Sequence, residues 1–469
     1  MDIKVTKADV IWSYLAQFFN LATGLITLPL ILSLLSAEEV GLNYILISIN
    51  SIVVLFDMGF SGQFSRYLTY IFSGAQKIQK EGIAEEYSDQ MNEHLLACTI
   101  ATAKRIYLYI SLIASACMLI FGTWYVYDVT DHFTLVQGAL NIWLLFALSS
   151  FFNIYFLYYN AFLEGRGLVK ATKQAAVYSR IVQLAITFVM LFAGCGLLSV
   201  VVANLIAPFV FRYYAYKRFY TEEIKSILSR YNVTAKEIKE VFSILLYNAK
   251  KIGVIGILSS AIGYASTLVI GKYMSLADVG SYGLMVHLTG IISSLAGLYF
   301  FSILPKFASL MVKKDSIEIR KNFGLTMFFF ISIMTLGLLA MAIMPTIFKF
   351  FSFKTQLPAY YIIFIYYFYK VFEQNQSIYS HLFLVENDLR FYPSAVCCGI
   401  TQFLLLWSSL YFGYGLLGVV LAQSIPLYAY PAWKWPIDAT RVYGIKTIQD
   451  ILIEPVKQVK HIIMDLVKK

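Results

Sequence analysis

Apolar residues along this chain fall in long runs separated by short polar stretches, and the lengths of the runs set the first constraint. A bilayer core of ~30 Å takes about 20 apolar residues per helix. Runs of that length lie at 10–35, 40–60, 106–127, 140–163, 175–193 and 197–214, and again at 247–271, 279–304, 323–348, 359–383, 393–412 and 415–433. The pattern predicts an all-α polytopic membrane protein of about twelve spans, which puts both termini on one side.

The charges between the runs are unevenly shared. The connection after the second run carries Lys77, Lys80, Lys104 and Arg105, that after the fourth Arg166, Lys170 and Lys173, and that after the eighth Lys306, Lys313, Lys314, Arg320 and Lys321. The connection after the sixth and the C-terminal tail are richer still, whereas the opposite set of loops holds only Lys272, Lys349 and Lys354. By the positive-inside rule both termini and the central connection are cytoplasmic. One missed helix would scramble this alternation. The connection at 217–245 and the tail at 437–469 are basic and amphipathic, a composition suited to lying on an anionic leaflet or docking a partner of the same pathway.

Composition agrees with membrane as the solvent. Of 469 residues, 59% are hydrophobic and 14% charged, and the mean hydropathy is +0.69, outside the range of a soluble globular domain. The first run is too long for a signal peptide, lacks a small-residue cleavage site and is followed by further spans. Cys98, Cys117, Cys195, Cys397 and Cys398 show no paired metal spacing and read as packing residues. A net charge of +10 would suit nucleic acid in another setting, but here its placement is accounted for by topology.

Two internal repeats divide the chain. SAEEVG from Ser36 recurs as SLADVG from Ser275, and GCGLLSVVVAN from Gly194 recurs as GYGLLGVVLAQ from Gly413 with seven of eleven positions identical. Both matches join equivalent hairpins, so the chain reads as two six-helix bundles related by a parallel pseudo-repeat: residues 1–216 and 246–436, with the linker and tail outside them. Two such bundles suit alternating access about a site at their interface.

Several segments resemble a known group. The amphipathic start into a span containing Pro29, the short loop ending in Glu39, Val40 and Gly41, DMGFSGQFSRY from Asp57 to Tyr67, NAFLEGRG around Glu164, FSILPKFASL and HLFLVENDLR follow one another in the order and spacing of polysaccharide biosynthesis and export flippases. The chain resembles the O-antigen flippases among them, within the multidrug/oligosaccharidyl-lipid/polysaccharide exporter superfamily. What the resemblance implies is a bacterial inner-membrane protein. It would move an undecaprenyl-diphosphate-linked oligosaccharide outward, function as a monomer among membrane lipids, draw on H⁺ or Na⁺ or on the substrate gradient, and need no bound cofactor.

Charged groups at membrane depth are candidates for function by default. In the tenth run Lys370 lies near mid-depth, and Glu373, Gln374, Ser377 and His381 follow at helical steps as one polar stripe. Lys370 can meet a diphosphate as a point charge. Glu373 either holds Lys370 or carries an exchanged proton, and the two together can instead be a self-neutralising pair. Asp57 sits deep in the second run and Arg66 nine residues later, ~13 Å apart on a continuous helix. Arg180 and Arg212 read as lying near the cytoplasmic face, snorkelling or, if turned inward, drawing an anionic headgroup. His287 reads as a hydrogen-bonded packing residue or a proton site, and Gln17, Asn20 and Asn153 either line a cavity or link helices. Pro29, Pro208, Pro345 and Pro426 are candidate kinks.

Two rival functions remain open on the sequence. An exporter of cationic drugs would use Asp57 and Glu373, against which stand Lys370 and the arginines. A glycan-modifying membrane enzyme would need an outer domain or paired acids, yet the outer loops are short apart from 128–138, and there is no P-loop, zinc spacing or nucleophile with its base.

Overall fold

The computed structural model describes residues 7–79, 88, 90–304, 307, 310–311, 315–385, 388, 390–445, 450 and 454, and within its helices leaves aside some side chains, those of 251–264 among them. The apolar face read in the tail and the side chains of Gln17 and Asn20 lie outside the described residues.

The described chain is helical from end to end. In order come α1 (Lys7–Leu34), α2 (Ala37–Val54), α3 (Phe60–Phe72), α4 (Glu93–Cys117), α5 (Thr123–Val129), α6 (Ala139–Tyr155), α7 (Tyr158–Gly165), α8 (Val169–Phe192) and α9 (Leu198–Phe219). There follow α10 (Glu222–Arg230), α11 (Ala235–Tyr273), α12 (Leu276–Ser302), α13 (Ser316–Phe350), α14 (Tyr360–Val385), α15 (Tyr392–Tyr411), α16 (Gly415–Ala429) and α17 (Pro431–Val442). Among the described residues nine helical stretches are long and apolar enough to cross a membrane. The protein is thus a multi-pass all-α membrane protein. Exposed rows such as Leu112, Ile113, Ile120 and Phe121 agree, because a patch of that kind is tolerated by hydrocarbon and not by water.

Contacts group the chain into two compact units, 1–277 and 278–469. In the first, α8 packs on α1 and α9, α6 on α4 and α9, α3 on α7, and α11 on α2 and α4. Trp143, Tyr107, Phe162 and Phe219 are fully buried there. Trp143 donates from its indole nitrogen to Thr123 Oγ1 at 2.9 Å. A Cβ on Gly122 would strike the same ring, so a glycine ends the π-helical turn Met118–Gly122. In the second unit α15 packs on α16, and α14 on α13, α16 and α17, around Tyr367, Phe300, Phe323 and Phe383.

Several ends differ from the sequence reading for identifiable reasons. The third span starts at Glu93, where Asn92 caps the helix by accepting from the Leu95 amide at 2.9 Å; such a cap stabilises a helix by ~1 kcal/mol. The central connection is α10 followed by an extension of α11, with Ile224 and Ile227 buried and Thr234 and Glu237 forming a capping box. The second run is broken: α2 passes through a 3₁₀ turn (Leu55–Asp57) into left-handed Met58 (φ 47°) and Gly59 (φ 78°) before α3 starts. Pro29, Pro208 and Pro345 lie inside helices that continue through them, as does Pro426 in α16. Breaks fall instead at Met58–Gly59 and at Tyr430.

The longer repeat keeps its local geometry. Gly194 and Gly196 have φ of 79° and 55°, Gly413 and Gly415 of 78° and 59°. All four lie where only glycine is unstrained. In the first unit the two motifs also meet. Glu39 closes the capping box with Ser36 and accepts from the Leu197 amide at 3.0 Å.

Candidate functional site

Two adjoining cavities open inside the first unit, of about 280 Å³ and 210 Å³. Arg180, Asn153 and Asn204 line both. Asn160, Ser179 and Gln183 add polar groups to the first, and Asn43, Asn50 and Ser149 to the second. Polar side chains on α2, α6, α7, α8 and α9 therefore converge on one region, with Phe156, Leu157 and Phe211 as its apolar wall. Among the described residues that line the two cavities there is no carboxylate.

Hydrogen bonds fix this lining. Arg180 donates through Nη1 to Gln183 Oε1 at 2.7 Å, and Gln183 donates through Nε2 to Asn204 Oδ1 at 2.5 Å. Asn153 donates to Ser149 O at 2.9 Å, and Ser179 to Ala207 O at 2.7 Å. The Gln183–Asn204 and Ser179–Ala207 bonds join α8 to α9, and amide and hydroxyl pairs of this kind hold helices together in hydrocarbon. The guanidinium adds a fixed positive charge with further donors suited to phosphate oxygens.

Arg180 stands eleven residues into α8, ~16 Å from the start of that helix, half-buried among the residues that line the cavities. Arg212 is exposed, with its guanidinium 4.8 Å from the Phe156 ring centre, and lines neither cavity. Arg66 is also exposed; it donates to Gln63 Oε1 at 2.7 Å and covers the Tyr67 ring.

Asp57 is held by two hydrogen-bond donors. Tyr107 donates to its Oδ1 at 2.5 Å, and the Ser61 amide lies 3.3 Å from the same oxygen. The carboxylate thus bridges the broken second span to α4 and satisfies the first turn of α3. Because the helix is interrupted between Asp57 and Arg66, their separation on a continuous helix does not apply.

In the second unit α14 carries the predicted stripe: Lys370, Glu373, Gln374, Ser377 and His381 are all half-buried. Lys370 is ion-paired with Glu373, which also accepts from Tyr369 at 3.0 Å. His381 is held by Ser377 O at 2.8 Å and packs edge-on against Phe301. Gln374 lies so close to Gly297 of α12 that a Cβ there would touch its amide. His287 is half-buried on α12. The stripe is one structural unit, and its lysine and glutamate compensate each other.

Comparing the two repeats isolates what is particular to the first. At the offset that relates the glycine turns, Gln183 corresponds to Gln402 and Asn204 to Gln423. Both pairs link their helices, Gln402 donating to Gln423 O at 2.7 Å. Arg180 corresponds to Gly399. The amide link belongs to both copies; the cation belongs to one. Gln183, Asn204, Asn43 and Asn50 were missed in the sequence, although polar amides inside apolar runs were a usable signal.

The fold of this chain is shared with membrane transporters of known structure. The structure of the lipid II flippase MurJ in an inward closed conformation is similar at a TM-score of 0.63 and 16% identity, covering 98% of this chain and 93% of that one. An inward-facing multidrug resistance MATE family transporter of the MOP superfamily is similar at 0.54 and 12% identity, over 92% and 94% of the two chains. No protein-family model and no curated protein sequence matches this chain. At such identities it is the fold that is shared.

Proposed function

We propose that this protein is a flippase that carries a polyprenyl-diphosphate-linked oligosaccharide, such as an O-antigen repeat unit, across the bacterial inner membrane by alternating access. On this reading it has twelve spans in two six-helix halves and cytoplasmic termini, and it acts as a transporter without enzymatic chemistry. The observation that carries it is the cavity lining around Arg180: one guanidinium, a set of amides and hydroxyls, and no carboxylate among the described lining residues. A guanidinium suits a diphosphate, and amides and hydroxyls suit the hydroxyls of sugars. Sharing a fold with a lipid II flippase supports the same reading.

A cationic-drug exporter would place an available acid in its cavity. Here Asp57 is bound by Tyr107 and Ser61, and Glu373 is paired with Lys370. The test is complementation of a strain that lacks its O-unit flippase, with surface glycan as the readout. Restored glycan that is lost again in an Arg180→Gln variant of equal abundance supports the reading. Failure to restore glycan from several O-unit backgrounds, together with efflux of cationic dyes by the same protein, refutes it.

A further inference from the structure

A second group of chemically apt side chains lies away from the cavity, where the start of α4 meets the start of α11. His94 and Cys98 are one turn apart on α4, and Glu237 is the third residue of α11. Imidazole nitrogen, thiol sulfur and carboxylate oxygen all lie within 4.8 Å of one another. His94 Nε2 is 3.1 Å from Glu237 Oε1 and 3.9 Å from Cys98 Sγ. For a tetrahedral zinc ion with bonds of ~2.3 Å to sulfur and ~2.0–2.1 Å to nitrogen and oxygen, neighbouring ligand atoms stand roughly 3.3–3.6 Å apart. The observed separations bracket that range, and the exposed His94 ring can make the adjustment.

The surroundings fix the three groups from both sides. Glu237 gives its other oxygen to the capping box, accepting from the Thr234 amide at 2.7 Å and the Thr234 hydroxyl at 2.8 Å, which leaves Oε1 directed at His94. The His94 ring packs edge-on against Tyr231, and Arg230 lies 3.4 Å from Glu93. Cys98 is buried beneath the exposed His94, so a metal held here would reach the thiol from the surface of the bundle.

We propose that His94, Cys98 and Glu237 form a binding site for a borderline divalent cation of the zinc type, with a fourth position left to water. One nitrogen, one sulfur and one oxygen ligand favour such an ion over the hard cations magnesium and calcium. Binding replaces the thiol proton by the metal: the S–H bond breaks, an S–Zn bond forms, and the proton goes to solvent. The ion would fasten the extension of α11 to the first turns of α4, and thereby the central connection to the first bundle. The site does not depend on what the protein transports.

The test uses full-length, untagged protein, purified in detergent, reduced and freed of metal, and titrated with Zn²⁺ by calorimetry and with Co²⁺ by absorption. Expected are one ion per chain, proton release, and a sulfur-to-cobalt charge-transfer band. Cys98→Ser should abolish the band, and His94→Gln and Glu237→Gln should each weaken binding at least tenfold. A variant replacing Cys117, Cys195, Cys397 and Cys398 should behave as wild type. His94 is exposed, and glutamine at 237 keeps an acceptor for the Thr234 cap, so these two variants should fold whatever the fate of Cys98→Ser. Binding unchanged by His94→Gln and Glu237→Gln, or a cobalt spectrum without the sulfur band, would show an ordinary His–Glu ion pair and overturn the site.

Discussion

Replacing Arg180 by glutamine separates the cavity's structural work from its proposed work on cargo. Within the protein Arg180 donates a hydrogen bond of 2.7 Å to Gln183. Glutamine retains a donor for that bond, whose loss alone would cost ~1 kcal/mol of folding stability. A hydrogen bond to a charged partner is worth about 1.5–3 kcal/mol, and a diphosphate loses at least one when the guanidinium is removed. At 1.4 kcal/mol per decade this lowers transport at subsaturating cargo roughly ten- to hundredfold. The assay is appearance of a fluorescent lipid-linked oligosaccharide in the outer leaflet of reconstituted vesicles, with thermal unfolding measured on the same preparation. Arg180→Lys, which keeps the charge but not the fork, should fall between. Wild-type transport by Arg180→Gln, or a transport loss matched by a large drop in melting temperature, refutes the reasoning.

The Lys370–Glu373 pair predicts that Lys370→Ala is more damaging to stability than the double variant Lys370→Ala/Glu373→Ala, because the single change strands a half-buried carboxylate; additive effects in a thermal-unfolding cycle would count against coupling. Asp57→Asn should keep an acceptor for Tyr107 and nearly full stability, while Asp57→Leu should lose ~1–3 kcal/mol. A stable Asp57→Asn that no longer transports would show that the carboxylate's charge is used. For Gly41→Ala, whose new Cβ would fall on the Leu276 carbonyl oxygen, the expected cost is ~1–3 kcal/mol in unfolding, and an unchanged melting temperature would contradict this close approach. Arg390 holds the Asp388 carboxyl below its ordinary range, so that pair's contribution is present above ~pH 4 and fades as pH falls through the lowered value; acid unfolding of Asp388→Asn should differ from wild type above that window and converge with it below.

Much of the helical plan was legible because run length and hydrocarbon thickness answer the same constraint. The ends were less so, since a long basic side chain near the membrane edge looks like a terminator in sequence and is only a snorkelling group in the helix. Lys170 and Lys173 led to a fifth span starting at 175, whereas α8 starts at Val169. The same six residues moved Arg180 from mid-helix to the apparent edge. The break at Met58–Gly59 was hidden for another reason: a left-handed pair inside an apolar run leaves hydropathy unchanged. Pairings such as Tyr107 with Asp57, or Glu237 with His94, join residues from separate elements and could not be read from spacing at all.

The internal repeat gives the strongest argument about which polar groups are structural. A link that recurs at equivalent positions in both units, from Gln183 to the Asn204 side chain and from Gln402 to the Gln423 backbone carbonyl, with the same glycine turn beside it, is explained by helix packing alone. Arg180 has no such explanation, because its counterpart is Gly399 and the second pair forms without a cation next to it. Placing a guanidinium in the interior of a membrane protein is costly, and the amide link does not require it. The amide link alone therefore does not account for the charge, and the proposed anionic cargo would give a physical reason to keep it there. Introducing arginine at Gly399 tests this directly: if it restores glycan export to an Arg180→Gln protein, the cation is interchangeable between the copies, and if it does not, the cavity of the first unit is the place where the charge must act.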